Sequence, residues 1–322
     1  MKVFDYPSST LSKKLADEYG YDEFIVRRWL HFFGEDETID LIEAMENIPK
    51  YIRINTIKID EKILVERLEN RGFVLEKTEV DFCYMVVEES YSIGATPEYL
   101  MGYYYVMDKS SCIPPLVLSP QKDEIVSDFA ASPGGKTTFL AQLMDNRGII
   151  LAIEVQKERI PPLIDNIHRM GVMNTAVIQM DSRKFSETGL KIDKILLDAP
   201  CTGEGIIHKD PSRKVSRGRE DILFCSSMQI SLLKSAVDSL RDGGVVVYST
   251  CSMTPEENEF VVSNVLDFYE KRGIRLEIEK VPWGVKSLKL EGVRDELKNA
   301  RRLYPHKHGC SGFFVAKIRK TV

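Results

Sequence analysis

From residue 125 onward the sequence alternates short apolar runs with stretches of helical periodicity, and this alternation most limits what the chain can fold into. IVSDF (125–129) leads to a helix predicted over 136–144, and RGIILAI (147–153) to one over 158–170. TAVIQM (175–180) and DKILLD (193–198) follow, then a helix over 221–241 that ends at Asp242-Gly243-Gly244. VVVYST (245–250) precedes a helix from Pro255 to about Lys271, and LEIEKV and GFFVAKI close the chain as strands. Strands alternating with helices predict an α/β fold around a doubly wound, mostly parallel sheet. Ligands of such sheets sit in the turns at the carboxyl ends of the strands.

Ahead of that region, residues 1 to about 50 carry helical spacing in KKLADEYGYDEFIVRRWLHFFG and TIDLIEAMENI. A strand (YIRINTIKI), a helix (DEKILVERLENRG) and two more strands (FVLEKTEV, FCYMVVEE) then predict a small β-α-β-β unit ending near Asp108. Two parts are expected: an N-terminal helical and small α/β region over 1–108, and a larger domain over 109–322. At 322 residues the chain can fill a core for each.

Hydrophobic and charged fractions of 43% and 29% fit a soluble globular protein. No apolar run is long enough for a membrane span, and the opening MKVFDYPSSTLSKK lacks the apolar centre of a signal peptide, so a cytoplasmic protein is expected. Six cysteines without a CxxC pair predict neither a structural zinc site nor a disulfide framework, and no metal is expected.

DFAASPGGKTTFLAQL (128–143) sets a glycine-rich turn between a strand and a helix. A P-loop would need glycine five residues before Gly135, where Ala130 stands, and Asp128 at the strand end would repel a polyphosphate. Glu154 ends the next strand twenty positions after Gly134, where an acid can accept hydrogen bonds from ribose hydroxyls. Unpaired N–H groups at the helix start suit a carboxylate. A nucleoside that carries a carboxylate, as S-adenosyl-L-methionine does, fits this turn better than a triphosphate; a dinucleotide or a ligand-free tight turn are the other readings.

DAPCTGEG places Asp198 and Cys201 just past one strand, and STCSMTPEENE places Cys251 just past the next, ahead of a helix start that would favour thiolate. An acid, two thiols and a methyl donor suit attack on cytosine. Thiolate addition at carbon 6 breaks aromaticity and makes carbon 5 enamine-like, while a carboxyl group at N3 stabilises the adduct. The base must leave its stack to reach such a pocket.

With these motifs the chain resembles the RNA cytosine-C5 methyltransferases of the Fmu/Sun family, most closely the compact archaeal-type tRNA enzymes. YIRINT (51–56), YYVMDKSSCIPPLVLSP (104–120), DFAASPGGKTT (128–138), MDSRKF (180–185), LLDAPCTGEG (196–205), STCSMTPEENE (249–259) and GFFVAKI (312–318) carry the resemblance over nearly the whole chain. It implies a class I, Rossmann-like methyltransferase fold over 109–322, with an RNA-recognition region before it. The implied S-adenosyl-L-methionine site is Ala130, Ala131, Ser132, Pro133, Gly134, Gly135 and Lys136, with Glu154 on the ribose, Asp181 facing the adenine amino group, and Arg159 and Asp198 beside them. It also assigns roles: Cys251 attacks, Cys201 helps release the product, and Asp198 serves ring N3. Ala130, Ser132 and the pair Cys310-Ser311 depart from the usual residues; the last leaves the role of the C-terminal hairpin open.

The implied partner is RNA, with tRNA expected ahead of rRNA. The formal net charge of −5 does not itself advertise nucleic acid, but HKDPSRKVSRGR (208–219) carries Lys209, Arg213, Lys214, Arg217 and Arg219 against one acid. Arg53 and Asn55 are expected to complete the RNA surface. No appended RNA-binding module is expected after GFFVAKI; a monomer is expected, and an accessory protein that narrows site choice is left open. A P-loop ATPase and a non-catalytic RNA-binding factor are the rivals. His306 and His308 are read as surface or RNA-facing, Cys83, Cys112 and Cys225 as packing, and Tyr103, Tyr104 and Tyr105 as core anchors.

Overall fold

The computed structural model describes residues 3–321. Helices α1 (Thr10–Tyr19), α2 (Glu23–Phe33) and α3 (Glu35–Glu46) come first. Ser9 and Ser12 start α1 with reciprocal hydrogen bonds, Gly20 stops it in the left-handed region, and the Asp22 side chain caps α2. Their apolar faces bury Leu15, Ile25, Val26, Trp29, Leu41 and Ile42 together with Ile207, Met253 and Tyr304 from far along the chain.

β1 (Lys50–Ile54), α4 (Glu61–Glu69), β2 (Val74–Lys77), β3 (Cys83–Glu88), α5 (Pro97–Leu100) and β4 (Tyr104–Val106) form the next unit. Its antiparallel sheet has the order β2-β3-β1-β4. Leu64 and Leu68 of α4 pack on Ile52, Ile54 and Tyr84.

The large sheet is preceded by α6 (Lys109–Leu118) and contains β5 (Ile125–Asp128), β6 (Ile149–Glu154), β7 (Thr175–Gln179), β8 (Ile192–Asp198) and β9 (Leu240–Thr250) as five parallel strands. Between them run α7 (Gly135–Leu143), α8 (Ile160–Arg169), the single turn α9 (Arg213–Ser216) and α10 (Arg219–Ser239). After α11 (Glu259–Glu270), β10 (Arg275–Glu279), β11 (Val285–Lys286), β12 (Arg301–Leu303), the turn α12 (Pro305–His308) and β13 (Phe313–Thr321) extend one edge antiparallel. Along the path the order is β11-β12-β13-β9-β8-β5-β6-β7, with β10 on β13.

Alternation along each parallel strand divides the core in two. Leu196, Val245 and Val247 face α6, α7 and α8, whereas Ile195, Leu197, Val246 and Tyr248 face α10 and α11. The doubly wound sheet expected from sequence is therefore present. From β7 the chain crosses back to β8 beside β5, so the direction of strand addition reverses between β5 and β8, where such sheets open a crevice.

Two expectations shift, and several elements went unread. The helix expected from Pro255 begins as α11 at Glu259, because Asn258 (φ −116°, ψ −95°) breaks it from a single turn at Pro255–Glu257. Cys251 thus stands eight positions before α11, beyond the one-turn range of a helix-end dipole. Helix α6 went unread because Pro114 and Pro115 lie inside it, and β4, β11 and β12 are too short to show a period.

Candidate active site

The turn after β5 is fixed from both sides. Phe129 N–H donates to Leu196 O of β8, and Ala131 N–H to Ile153 O of β6. Gly134 (φ +103°) opens α7 in a conformation that side-chain-bearing residues rarely adopt. A Cβ there would come 3.0 Å from Leu163 of α8, and one on Gly135 would come 3.1 Å from the Tyr105 ring. The glycines therefore let α8 and Tyr105 close on the turn; close packing within the fold is part of what they are for.

At the reversal point Lys136 Nζ donates to Asp198 Oδ2 at 2.6 Å, and Ser249 Oγ donates to Asp198 Oδ1 at 2.8 Å. Thr137 Oγ1 donates to Asp128 Oδ2 at 2.7 Å. Burial pushes the Asp128 carboxyl up to about 6, the Asp198 charge adding to it and the Thr137 hydrogen bond opposing it. Burial works against the Lys136 ammonium, but Asp198, then Asp128 and Cys251, hold its pKa above the ordinary value. A lysine seated on a carboxylate is no cradle for phosphates, which counts against the ATPase rival. A cavity of about 270 Å³ opens here, lined by Ala130 to Pro133, Gly135, Lys136, Asp128, Asp198, Asp108 and Lys209 among others. Gly134, Glu154, Arg159, Asp181 and the two thiols are not in that lining.

Glu154 ends β6 with its carboxylate buried. Oε1 accepts from Gln156 N–H at 2.9 Å; Oε2 is buried without a hydrogen-bond partner, its cation, Arg159 Nη1, standing 3.6 Å away. Arg159 Nη2 donates to Ser132 O and Ser132 Oγ to Arg159 O, at 2.7 and 2.8 Å, which joins it to the glycine turn. An unpartnered acceptor at this strand end fits a ribose hydroxyl. Asp181 instead holds Arg183 through both carboxylate oxygens, and that contact would have to open for the carboxylate to meet an adenine amino group.

Pairing of β8 with β9 brings the two cysteine loops side by side, with Ala199 N–H donating to Ser249 O. Cys201 Sγ lies 3.2 Å from Cys251 Sγ, both as free thiols. The hydrogen bond to Cys251 and burial push the Cys201 thiol well above its ordinary range, with Glu257 and Asp198 adding to it. Glu204, three residues on, is pushed up to about 7 by burial against the pull of Arg28. Glu204, Glu256, Glu257 and Glu259 are all buried here, and none was singled out from sequence. The run of acids in TPEENE was the available signal, but acids ahead of a helix read as a solvated first turn.

The other sequence-selected residues disperse. Lys209 reaches the cavity. Arg213 donates to Thr202 O and to Asp210; Lys214 to Tyr19 O and Glu46; Arg217 and Arg219 pair with Asp221 and Asp5. Arg53 and Asn55 are corrected outright. Both are fully buried: Arg53 donates to Gly135 O and Thr138 Oγ1 over the Phe139 ring, and Asn55 donates to Gly102 O and Met170 O. They join the small sheet to α7 and α8 and cannot touch RNA. His306 is likewise enclosed, against Glu37 of α3, and the His308 ring accepts from Tyr304 N–H. Ser311 N–H and Oγ donate to Asp108, so the hairpin residue that departs from the family pattern holds a residue that lines the cavity. Among the described residues no group of three His, Cys, Asp or Glu could hold a metal ion, and no helix is long and apolar enough to cross a membrane.

Residues 115–319 match the family model described as 16S rRNA methyltransferase RsmB/F. The chain is 40% identical over 324 residues to the 28S rRNA (cytosine(4447)-C(5))-methyltransferase of Homo sapiens, covering 96% of this chain and 39% of that protein. It is 38% identical over 270 residues to the tRNA (cytosine(72)-C(5))-methyltransferase of Pyrococcus horikoshii, covering 84% and 64%. The chain thus spans less than two thirds of the length of either. Among solved structures, a methyltransferase homolog protein from Pyrococcus horikoshii superposes with a TM-score of 0.87 at 40% identity, covering 97% of this chain and 100% of that one. NSun6 from Pyrococcus horikoshii, solved with SFG, gives a TM-score of 0.80 at 28% identity over 92% and 97%.

Proposed function

The chain belongs to the RsmB/F family of RNA cytosine-C5 methyltransferases, and from that premise we propose that it transfers a methyl group from S-adenosyl-L-methionine to carbon 5 of cytosine in RNA. The observation that carries this reading is the pair of thiols 3.2 Å apart at the ends of adjacent strands, beside an Asp198 held by Lys136 and Ser249.

The site residues fit the cofactor: Glu154 would take the ribose hydroxyls on its unpartnered Oε2, and the turn Ala130–Lys136 with the start of α7 would take the amino-acid end. When bound, S-adenosyl-L-methionine supplies a sulfonium methyl to carbon 5. Cys251, as thiolate, donates an electron pair to carbon 6; an S–C6 bond forms and the C5–C6 π pair becomes available at carbon 5. Asp198 holds the proton at ring N3 that stabilises this adduct, and Lys136 must give up its place on Oδ2 as the base enters. Loss of the carbon 5 proton to a base and departure of the Cys251 sulfur restore the ring. Cys201, its sulfur 3.2 Å away, would then pass its proton to that sulfur.

In this reading residues 1–108 form the RNA-recognition region, residues 109–322 the catalytic domain, and the protein works in the cytoplasm. Transfer RNA is the substrate suggested by the compact archaeal pattern and by the 38% identity to the cytosine(72) enzyme. Ribosomal RNA is the second reading, favoured by 40% identity to the human 28S rRNA enzyme across 96% of the chain.

Bisulfite sequencing of tRNA and rRNA treated with purified protein separates the two substrates. Cys251→Ala should lose about four orders of magnitude in methyl transfer while binding the cofactor normally. Cys201→Ala should accumulate a covalent protein–RNA adduct that survives denaturing electrophoresis. Full activity in Cys251→Ala overturns the proposal.

A further inference from the structure

Three acids of the TPEENE stretch are completely buried, and they are held in two different ways. Glu256 pairs with Arg28 and Glu259 with Arg302, each bidentate. Glu257, between them, is held by neutral donors. Its Oε1 accepts from Thr202 N–H at 2.9 Å and Gln229 Nε2 at 3.0 Å; its Oε2 accepts from the hydroxyls of Thr202, Ser252 and Thr254. Thr202 directly follows Cys201, and Ser252 directly follows Cys251. Gln229, on α10, also donates to Pro200 O, the residue before Cys201, and Tyr248 Oη donates to Glu257 O.

We propose that Glu257 is a positioning residue, its carboxylate tying together the loops behind the two cysteines so that Cys201 and Cys251 stand at the separation their exchange of roles requires. The part about roles rests on the proposed methyl transfer; the tie itself rests on geometry alone. Two loops from different strands have no covalent reason to keep register past their last paired residues, Asp198 and Ser249. Backbone hydrogen bonds from Ala199 N–H to Ser249 O and from Gly205 N–H to Cys251 O join them in part, and one carboxylate that accepts from the residue after each cysteine adds the tie between the side chains.

The absence of an arginine on Glu257 has a second effect. The charges of Glu256 and Glu259 are offset in place, whereas that of Glu257 is left to act on its neighbours. Cys201 stands 3.2 Å from Cys251 and next to Thr202, which Glu257 holds; the Glu257 and Asp198 charges both push its thiol up, and Arg213 approaches from its loop only as far as the Thr202 carbonyl. The Glu257 charge thus helps to keep Cys201 protonated next to a cysteine that must act as thiolate, which makes two like residues unlike.

Phenylarsine oxide, which needs two adjacent sulfurs, tests the tie in the full chain without RNA or cofactor. Wild type should bind it through Cys201 and Cys251, and Cys201→Ser should abolish that binding. Glu257→Gln should weaken it about tenfold, because the loops lose their common anchor. In a Cys251→Ser background, Glu257→Gln should also make Cys201 react with iodoacetamide about fivefold faster near neutral pH, an effect loosened packing alone would not restrict to the ionisation curve. Should Glu257→Gln fail to fold, Ser252→Ala removes only the Cys251 side of the tie and should still weaken arsenical binding. Unchanged arsenical affinity in the folded variants overturns the inference. Failure of the wild type to methylate RNA would overturn the proposed function and leave these thiol readouts standing.

Discussion

The loops behind the thiols and the basic loop over 208–219 meet where Arg213 donates to Thr202 O, but they hold their charges in opposite ways. Behind the thiols, Arg28 and Glu256 are 3% and 0% exposed and bound bidentate. In the basic loop, Arg219 and Arg217 are 54% and 40% exposed and meet Asp5 and Asp221 through single contacts. A buried pair cannot exchange its partner, since either charge left alone inside the protein costs several kcal/mol. An exposed pair contributes about 0.2–1 kcal/mol, so its cation can move to a phosphate with little loss. The first region suits fixed chemistry; the second suits a partner that comes and goes. Internal pairing of the basic loop is therefore compatible with an RNA-facing role, while the burial of Arg53 and Asn55 is not.

The sharpest break would come from Arg28→Met, which leaves Glu256 buried and uncompensated. It should cost about 3–5 kcal/mol, read as a fall in the urea midpoint, whereas Arg219→Ala should cost less than about 0.5 kcal/mol. Equal losses would erase the distinction. Next comes Glu204→Gln. The folded carboxyl sits at about 7 against an ordinary 4.5, so its contribution is fully present below about pH 4.5 and lost as pH rises through 7. The variant keeps an acceptor for Trp29 Nε1 and escapes that loss. Its stability relative to wild type should climb between pH 4.5 and 7, by about 3 kcal/mol in all, and then level off. A flat difference across that range would mean the carboxyl is not held in the buried, protonation-favouring setting described. The smallest effect belongs to the exposed cations: Arg217→Ala or Arg219→Ala should leave stability nearly unchanged and lower the salt slope of RNA binding by about one each.

Much of the site was legible because its signals are local. Strand and helix periods placed the turns, and the strand order then put Asp198, Cys201, Cys251 and the glycine turn on one rim. Glu154 was singled out by its distance from Gly134 and its place at the end of the next strand, and one of its buried carboxylate oxygens has no hydrogen-bond partner. The misreadings share a cause. Arg53 and Asn55 lie at alternate positions of YIRINT, where polar residues normally mark a solvent face, but that face lies against α7 and α8, a contact with residues more than eighty positions away. Glu257 lies in a stretch of acids that reads as a hydrated helix start, and only the tertiary fold shows five donors converging on it. Pairwise contacts of this reach leave no period in the sequence.

Arg53 also bears on how the protein can be taken apart. Its guanidinium crosses from the small sheet to the carbonyl of Gly135, inside the turn assigned to the cofactor. A cut near residue 108 would take the Arg53 guanidinium from that carbonyl and from Thr138 Oγ1, uncover Phe139 and remove the support beneath the first turn of α7. Anyone transplanting the methyl-transfer half into another protein would have to carry β1 along with it.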